Sequence, residues 1–517
     1  MSLLRSIATV GSLTMVSRVF GFARDILIAS SLGASLAADV FFVALKFPNL
    51  FRRLFAEGAF NMAFVPIFAG LLEEKGEVAA RKFADQSLAV LLWSLLGFIV
   101  IIEVSMPWVM LVFAPGFKEN PAKFGLAIEL TRITFPYLLF ISLVSLMAGV
   151  LNSLGRFAAA AATPILLNIC LIGAVLGLTR FTQSPAHALA WGVFVGGIVQ
   201  LLWLTVQCRR AGMVFKVPLP RLTVDVRLLL KRALPVALGA GIYQINLLID
   251  TIIASLLPGG SISYLFYADR VNQLPLGVVG VAVGTALLPL LSRQIKAGDP
   301  AAATQSQNRA LEFTLLMTLP AATALVVLAD PIIKVLFERG HFGPEQTVAT
   351  AAALGVYALG LPAYVLVKAL APGFFARGDT ATPVKISVLA LLVNLGLNLL
   401  LMGPFLHVGI AMATVISSWL NAGVMAVILR RRGHLAIDQR LLSRLPRTIL
   451  ASAGMAVALY YGAALVGGML AGGQFDRASG LALLVAAGLA VFALLAQITG
   501  AARLGDVKSI LKRGTAT

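Results

Sequence analysis

The chain has 517 residues, 59% of them hydrophobic and only 12% charged, and its 41 Lys and Arg against 22 Asp and Glu give a net charge of +19. A soluble globular chain carries about 25% charged residues, so a water-soluble protein of this composition could not cover its own surface with polar groups. An excess of basic residues in a soluble chain would suggest nucleic acid. The long apolar runs exclude that partner and point to a polytopic membrane protein.

A spanning helix needs about 20 apolar residues, and by that measure the sequence predicts an all-α fold of about fourteen transmembrane helices. In chain order they cover 7–31, 35–70, 84–112, 125–151, 158–180, 187–208, 228–257, 262–295, 306–337, 347–375, 383–403, 408–430, 446–470 and 479–502. The first run is broken by Arg18 and Arg24 and has no small-residue cleavage site, so it reads as a retained span and not as a signal peptide. Segments 35–70 and 262–295 are too long and too polar for simple spans, and a kink or break is expected at their interior prolines, Pro48 and Pro275. Cys170 and Cys208 lie singly in apolar stretches and read as small core residues.

Lys and Arg collect in the loops that follow the even-numbered spans. They run from Lys75, Arg81 and Lys82 through Arg209, Arg210, Lys216 and Arg221 to the Arg430–Arg431–Arg432 run and the tail Arg503, Lys508, Lys512 and Arg513. The positive-inside rule then places both termini in the cytoplasm.

The chain also resembles itself at a fixed offset. Asp25-Ile-Leu-Ile-Ala-Ser30 matches Asp250-Thr-Ile-Ile-Ala-Ser255, and Ala63-Phe-Val-Pro66 matches Ala286-Leu-Leu-Pro289. Pro107–Phe113 matches Pro331–Phe337, and Gly155-Arg156 matches Gly378-Asp379. Six spans fit within one repeat, and an even number gives two copies of parallel topology related by an axis along the membrane normal. The expected organisation is an N-lobe over 1–220, a C-lobe over 221–440, and two added helices with a tail over 441–517. Two such lobes would enclose a central cavity suited to alternating access.

Charged side chains inside a bilayer are costly and call for a reason. Here the spans hold Arg18, Arg24, Lys46, Arg52, Arg53, Arg270, Lys334 and Lys368 beside Asp25, Asp39, Glu57, Glu103, Asp250 and Asp269. Asp39, Lys46 and Arg53 are spaced by sevens, and Asn49 and Glu57 extend that stripe, so one side of the second span is polar along its length. Such groups can pair to glue helices together or snorkel to the interface, which is the reading for Lys334 and Lys368 near span ends. Arg18, Arg24, Arg52 and Arg270 read as functional. Arginine binds phosphate oxygens bidentately and stays charged when partly desolvated, so a cleft with surplus arginine suits an anion.

Several chemistries are unsupported. No Gly-Lys dipeptide occurs, so there is no phosphate-binding loop of an ATPase. The four histidines are scattered with no HExxH pair, and no Asp-x-Asp offers a metal–pyrophosphate handle. The chain therefore reads as a transporter with no resident cofactor or metal, not as an enzyme.

Five motifs carry a resemblance to a known family. Ser17-Arg-Val-Phe-Gly-Phe-Ala-Arg-Asp25 and Phe47-Pro-Asn-Leu-Phe-Arg-Arg-Leu-Phe-Ala-Glu-Gly-Ala-Phe60 resemble the MurJ (MviN) family of bacterial lipid II flippases. So do Tyr267-Ala-Asp-Arg270, Gly284-Thr-Ala-Leu-Leu-Pro289 and Ala371-Pro-Gly-Phe-Phe375. The resemblance implies a MATE-like exporter and polysaccharide-flippase fold with two six-helix lobes and two extra helices that hold a lipid tail. It implies a cargo of undecaprenyl-pyrophosphate bearing the disaccharide-pentapeptide of peptidoglycan, moved between leaflets of the inner membrane. By resemblance, Arg18, Arg24, Arg52 and Arg270 meet the pyrophosphate, and Asp39, Lys46, Asn49, Arg53, Glu57 and Asp269 line the same cavity.

Some relatives bind sodium in the second lobe, and Asp250 with Asn394 and Asn398 resembles that site; a helix-packing hydrogen-bond network is the alternative. Asn398 stands where an acid is expected, which lowers the charge of such a site. Coupling to Na+, to H+ or to the membrane potential is open at this stage. The expected partners are lipid II, membrane lipids and the peptidoglycan synthesis machinery, with the chain itself a monomer. The rival readings are a flippase for another polyprenyl-linked saccharide, a MATE-like antiporter, and a cell-wall enzyme or scaffold. An antiporter for cationic drugs should show acids dominating its cleft, whereas arginine dominates here.

Overall fold

Apolar backbone that finds no water in a bilayer must satisfy its own hydrogen bonds, which leaves the helix as the form for each of these spans. The computed structural model, which describes residues 3–52 and 59–502, is all helical, with no strand among those residues. The residues divide by packing into two units, Met1–Ser263 with Arg339–Phe342, and Tyr264–Glu338 with Gly343–Thr517.

The first unit holds α1 (Leu3–Leu32), α2 (Leu36–Arg52), α3 (Ala59–Val104), α4 (Met106–Phe113), α5 (Pro121–Thr134) and α6 (Tyr137–Ser153). It continues with α7 (Phe157–Gly173), α8 (Pro185–Arg210) and α9 (Val224–Ser255), with short tight turns over Pro115–Glu119 and Thr179–Phe181. Because α9 packs along α3, the division by packing falls at 263/264, beyond the repeat boundary expected at 220/221. The second unit comprises most of α10 (Ser261–Lys296), then α11 (Pro300–Val327), α12 (Ala329–Phe337) and α13 (Pro344–Phe375). After these come α14 (Ala381–Arg431), α15 (Gln439–Leu465), α16 (Gly467–Ala471) and α17 (Gln474–Thr499).

Among the described residues, nine helical stretches are long and apolar enough to cross a membrane. Two of them are pairs joined end to end. α3 is interrupted at Gly76, at φ 78°, and α14 at Leu406, at φ 50°. A left-handed φ suits glycine and strains leucine, so the second joint is held by its surroundings. Next to it, Gly409 approaches so closely that an added Cβ would lie 2.3 Å from the Leu401 carbonyl oxygen.

Of the kink or break expected at these prolines, the break does not occur: α2 runs through Pro48 to Arg52, and α10 runs through Pro275 to Lys296. The reason is visible for Pro48. Its missing N–H would have bonded the Ala44 carbonyl, and the Thr134 hydroxyl donates to that oxygen instead, at 2.7 Å. Membrane helices tolerate proline where a neighbour supplies such a bond.

In the second unit, Leu291, Val365, Ala369, Phe374, Met425 and Leu429 form the centre of an apolar core. The two C-terminal helices meet through glycines. A Cβ on Gly454 would lie 2.5 Å from Leu495, and one on Gly488 would lie 3.0 Å from Leu459. Their remaining faces expose Leu450, Tyr461, Leu465, Leu489 and Ile498, as lipid-facing helices do. The start of α15 is fixed to α11 by charge: Glu312 accepts from Arg309, Arg440 and Arg444, and Arg309 also pairs with Asp438.

Candidate functional site: charged groups in the apolar bundle

α1 carries Arg18 and Arg24 on an otherwise apolar helix, and their settings differ. Arg18 is exposed, whereas Arg24 is half-buried and Asp25 is buried. The Arg24 guanidinium donates to Asp25 Oδ1 through Nε at 3.0 Å and Nη2 at 2.7 Å. Its Nη1 donates to Asn168 Oδ1 on α7 at 2.9 Å, and Asn168 Nδ2 donates back to the Ser17 carbonyl at 3.1 Å. Gly21 lies beside this contact, its Cβ position 3.5 Å from the Asn168 amide, an ordinary van der Waals distance. The sequence singled out Arg24 but not Asn168, a lone polar residue inside an apolar run.

On α2 the predicted stripe separates into two kinds of residue. Lys46 is half-buried and donates through Nζ to Thr251 Oγ1 on α9 at 3.1 Å. Asn49 donates to the Leu45 carbonyl and accepts from Arg52 Nε at 2.9 Å, which steers the Arg52 guanidinium. Arg53 and Glu57 lie outside the described residues.

Asp39 behaves differently from a cavity-lining group. It is 1% exposed and every side of its carboxylate is used. Oδ2 accepts from Gly260 N at 2.7 Å, and Oδ1 accepts from Ser263 N at 2.9 Å and Ser263 Oγ at 2.7 Å. A carboxylate on the unpaired N–H groups at a helix start is favourable on both hydrogen-bond and dipole grounds. Lys123 completes the setting: its Nζ is 3.6 Å from Oδ2 and 4.1 Å from the centre of the Phe117 ring. Asp39 is thus a fastening between the start of α2 and the start of α10. Lys123 was not distinguishable in the sequence from an ordinary loop lysine.

The same unit shows two further close approaches. A Cβ on Gly116 would lie 2.1 Å from the Ser255 carbonyl, and one on Gly340 would lie 2.3 Å from that of Ser30. Beside the latter, His341 N donates to the Ser30 carbonyl at 2.9 Å.

In the second unit, the Arg270 guanidinium lies over the Phe266 ring at 4.7 Å, and Asp269 accepts from Gln273. Tyr267 is fully buried against Phe337, with ring centres 5.0 Å apart, which fixes the turn that carries Asp269 and Arg270. Asn394 and Asn398 are fully buried and bonded to each other, Nδ2 to Oδ1, at 2.9 Å. Asp250, half-buried near the end of α9, belongs to the first unit.

The family model described as lipid II flippase MurJ matches residues 28–476. A probable lipid II flippase MurJ of Rhizobium meliloti (strain 1021) is 46% identical over 99% of this chain and 97% of its own length. The lipid II flippase MurJ of Burkholderia cenocepacia is 38% identical over 84% of this chain and 85% of its own. A solved lipid II flippase MurJ in an inward closed conformation superposes with a TM-score of 0.78 at 25% identity, covering 95% of this chain and 98% of that one. An inward-facing multidrug resistance MATE transporter has a TM-score of 0.70 at 13% identity, covering 82% of this chain and 97% of that one, and so shares the fold. The motifs read around Arg18, Arg24 and Arg52 and the helices that hold them therefore have a family context: the chain belongs to the MurJ family of lipid II flippases.

Proposed function

We propose that this chain is a lipid II flippase of the bacterial inner membrane, carrying undecaprenyl-pyrophosphate-linked peptidoglycan precursor from the inner to the outer leaflet by alternating access. The observation that carries the reading is the family match across residues 28–476. It agrees with the chemistry of the charged groups, because guanidinium groups in an apolar bundle suit a diphosphate. The chain is a transporter and not an enzyme.

In this reading Arg18, Arg24, Arg52 and Arg270 clamp the diphosphate, with Lys46, Asn49, Arg53, Glu57 and Asp269 lining the same cavity. Asn168 and Asn49 set the orientation of Arg24 and Arg52. Pre-oriented guanidinium groups lose less side-chain freedom when the anion arrives, which favours binding. The repeat lobes 1–220 and 221–440 rock about the cavity, while the helices over 441–517 keep the polyprenyl tail in lipid. Both termini lie in the cytoplasm, the chain acts as a monomer, and the released cargo passes to the peptidoglycan synthesis machinery.

Resetting of the empty carrier draws on the membrane potential or on a coupling ion, Na+ or H+. A potential of about 100 mV acts on each charge carried across with about 2.3 kcal/mol. Asp250, Asn394 and Asn398 are the candidate sodium ligands, and the mutual bond of the two asparagines would have to open for an ion to enter between them.

The test is replacement of Arg18 or Arg270 by Ala, with exposure of lipid II in the outer leaflet as the readout, beside complementation of a flippase-depleted bacterium. Loss of both is expected. Normal exposure and growth in either variant would overturn the clamp.

A further inference from the structure

A cavity of about 250 Å3 opens in the first unit, lined chiefly by Glu129, Phe181, Thr182, Gln183, His187 and Trp191. Three elements meet there: the second half of α5, the tight turn before α8, and the first two turns of α8. None of these residues takes part in the charged site described above.

His187 is the group around which the cavity is arranged. It is 7% exposed, its Nδ1 lies 2.8 Å from Ser184 Oγ, and its Nε2 has no hydrogen-bond partner within the protein. Glu129 Oε1 stands 3.3 Å from that nitrogen but outside hydrogen-bond geometry. A buried ring nitrogen is seldom left unmatched, and here it borders an open space together with a carboxylate that is 52% exposed. At the mouth, Phe181 is 84% exposed and Trp191 is 44% exposed, so two aromatic rings stand ready for contact.

The lining limits the ligand. No Lys or Arg takes part, so nothing matches a phosphate or a carboxylate. The one carboxylate is half exposed but stands 3.3 Å from the His187 imidazole, and a single acid beside a ring nitrogen offers a cation few ligands. What fits is an uncharged molecule dense in hydroxyl and amide groups, with an apolar face to lie on an aromatic ring.

We propose that this cavity is a docking site for an uncharged N-acetylated sugar unit, which receives the saccharide of the cargo on the outer side of the membrane. The inference rests on the lipid II reading and on the orientation given above. In the docked state His187 Nε2 and Glu129 bond adjacent ring hydroxyls, Gln183 and Thr182 bond the acetamido group, and the sugar face stacks on Trp191. A site of this kind would hold the head group of the exposed precursor and disfavour its return.

The experiment is saturation-transfer NMR on the full-length chain in nanodiscs, with N,N′-diacetylchitobiose as the probe and ethanolamine and inorganic phosphate as comparison probes. Wild type is expected to transfer saturation to the acetyl methyl and ring protons of the disaccharide. Glu129→Gln and Trp191→Leu should each lower the transfer at least about fivefold while leaving the thermal midpoint unchanged. A weakening of that size corresponds to about 1 kcal/mol of lost binding, since tenfold is about 1.4 kcal/mol. Arg18→Ala should leave the transfer unchanged, because the probe carries no phosphate. Absence of transfer in wild type, transfer as strong as wild type in both pocket variants, or a stronger response to ethanolamine or phosphate would each overturn the proposal. Failure of the flippase reading itself is scored separately, by lipid II exposure with the wild-type chain.

Discussion

The Thr134 hydroxyl donates at 2.7 Å to the Ala44 carbonyl, the acceptor that Pro48 leaves without its usual amide partner. Through this one bond, α2 stays helical across a proline and carries Lys46, Asn49 and Arg52 on a continuous helix. Thr134→Val should strand a buried carbonyl at a cost of about 1–3 kcal/mol. The purified variant should unfold a few degrees lower. Pro48→Ala restores the missing N–H, so the double variant should recover most of the loss. A Thr134→Val protein as stable as wild type would show that the bond is not needed.

Asp39 and Lys123 form a buried pair, with side-chain exposures of 1% and 9%. Breaking such a pair from one side costs more than removing both charges, about 3–5 kcal/mol, because an uncompensated charge remains. Asp39→Ala should therefore accumulate poorly in membranes, and adding Lys123→Met should raise its level. Asp39→Asn keeps an acceptor for Ser263 and should be the milder change. Membrane levels measured by immunoblot check the order, and equal levels for Asp39→Ala with and without Lys123→Met would refute the pairing argument.

Much of this was legible in the sequence. The apolar runs announced an all-helical membrane fold because a bilayer leaves the backbone few other choices, and the motifs around Arg18 and Arg52 carried the family. The partners of the charged residues were not legible. Asn168 is a single polar residue in an apolar run and Thr134 sits at a helix end, and only packing shows that one holds Arg24 and the other serves Ala44. The resemblance puts Asp39 among the cavity residues, and its spacing puts it on the Lys46 stripe. A helical period gives the direction of a side chain and not the depth to which the next helix covers it.

Asn168 is predicted to act on transport through Arg24. Its Oδ1 accepts from Arg24 Nη1 and its Nδ2 donates to the Ser17 carbonyl, so one amide ties α7 to both ends of the Ser17–Asp25 motif. A hydrogen bond to a charged group contributes about 1.5–3 kcal/mol. If that orients Arg24 for the cargo, Asn168→Leu should lower lipid II exposure by about tenfold or more, since tenfold is 1.4 kcal/mol. Arg24→Lys should fall as well, because an ammonium cannot bond Asp25 and Asn168 in the same forked geometry. Outer-leaflet accessibility of labelled lipid II at equal protein level measures both. Full activity of Asn168→Leu would separate Asn168 from transport.

The loops next to α13 and α14 make a pH-dependent patch. Asp379 accepts from the Thr382 side chain, from Thr382 N at 2.9 Å and from Arg432 Nη1 at 2.5 Å, and these bonds hold its carboxyl well below the usual range. His434 is held below the ordinary histidine value, first by burial and then by the charges of Arg377 and Arg432. With a lowered folded value, the unfolded chain takes up its proton first as pH falls. The stabilisation from neutral His434 is therefore present above the unfolded value of about 6.5 and is lost below it, down to the lowered folded value. Asp379 contributes its share above about 3.9, and that share is lost only in stronger acid. Between pH 7 and pH 5 the thermal midpoint of wild type should fall. The fall should be smaller in His434→Gln, which has nothing to protonate, and unchanged in Asp379→Asn. Differential scanning fluorimetry across that range decides it, and parallel pH profiles for wild type and His434→Gln would assign the sensitivity to another group.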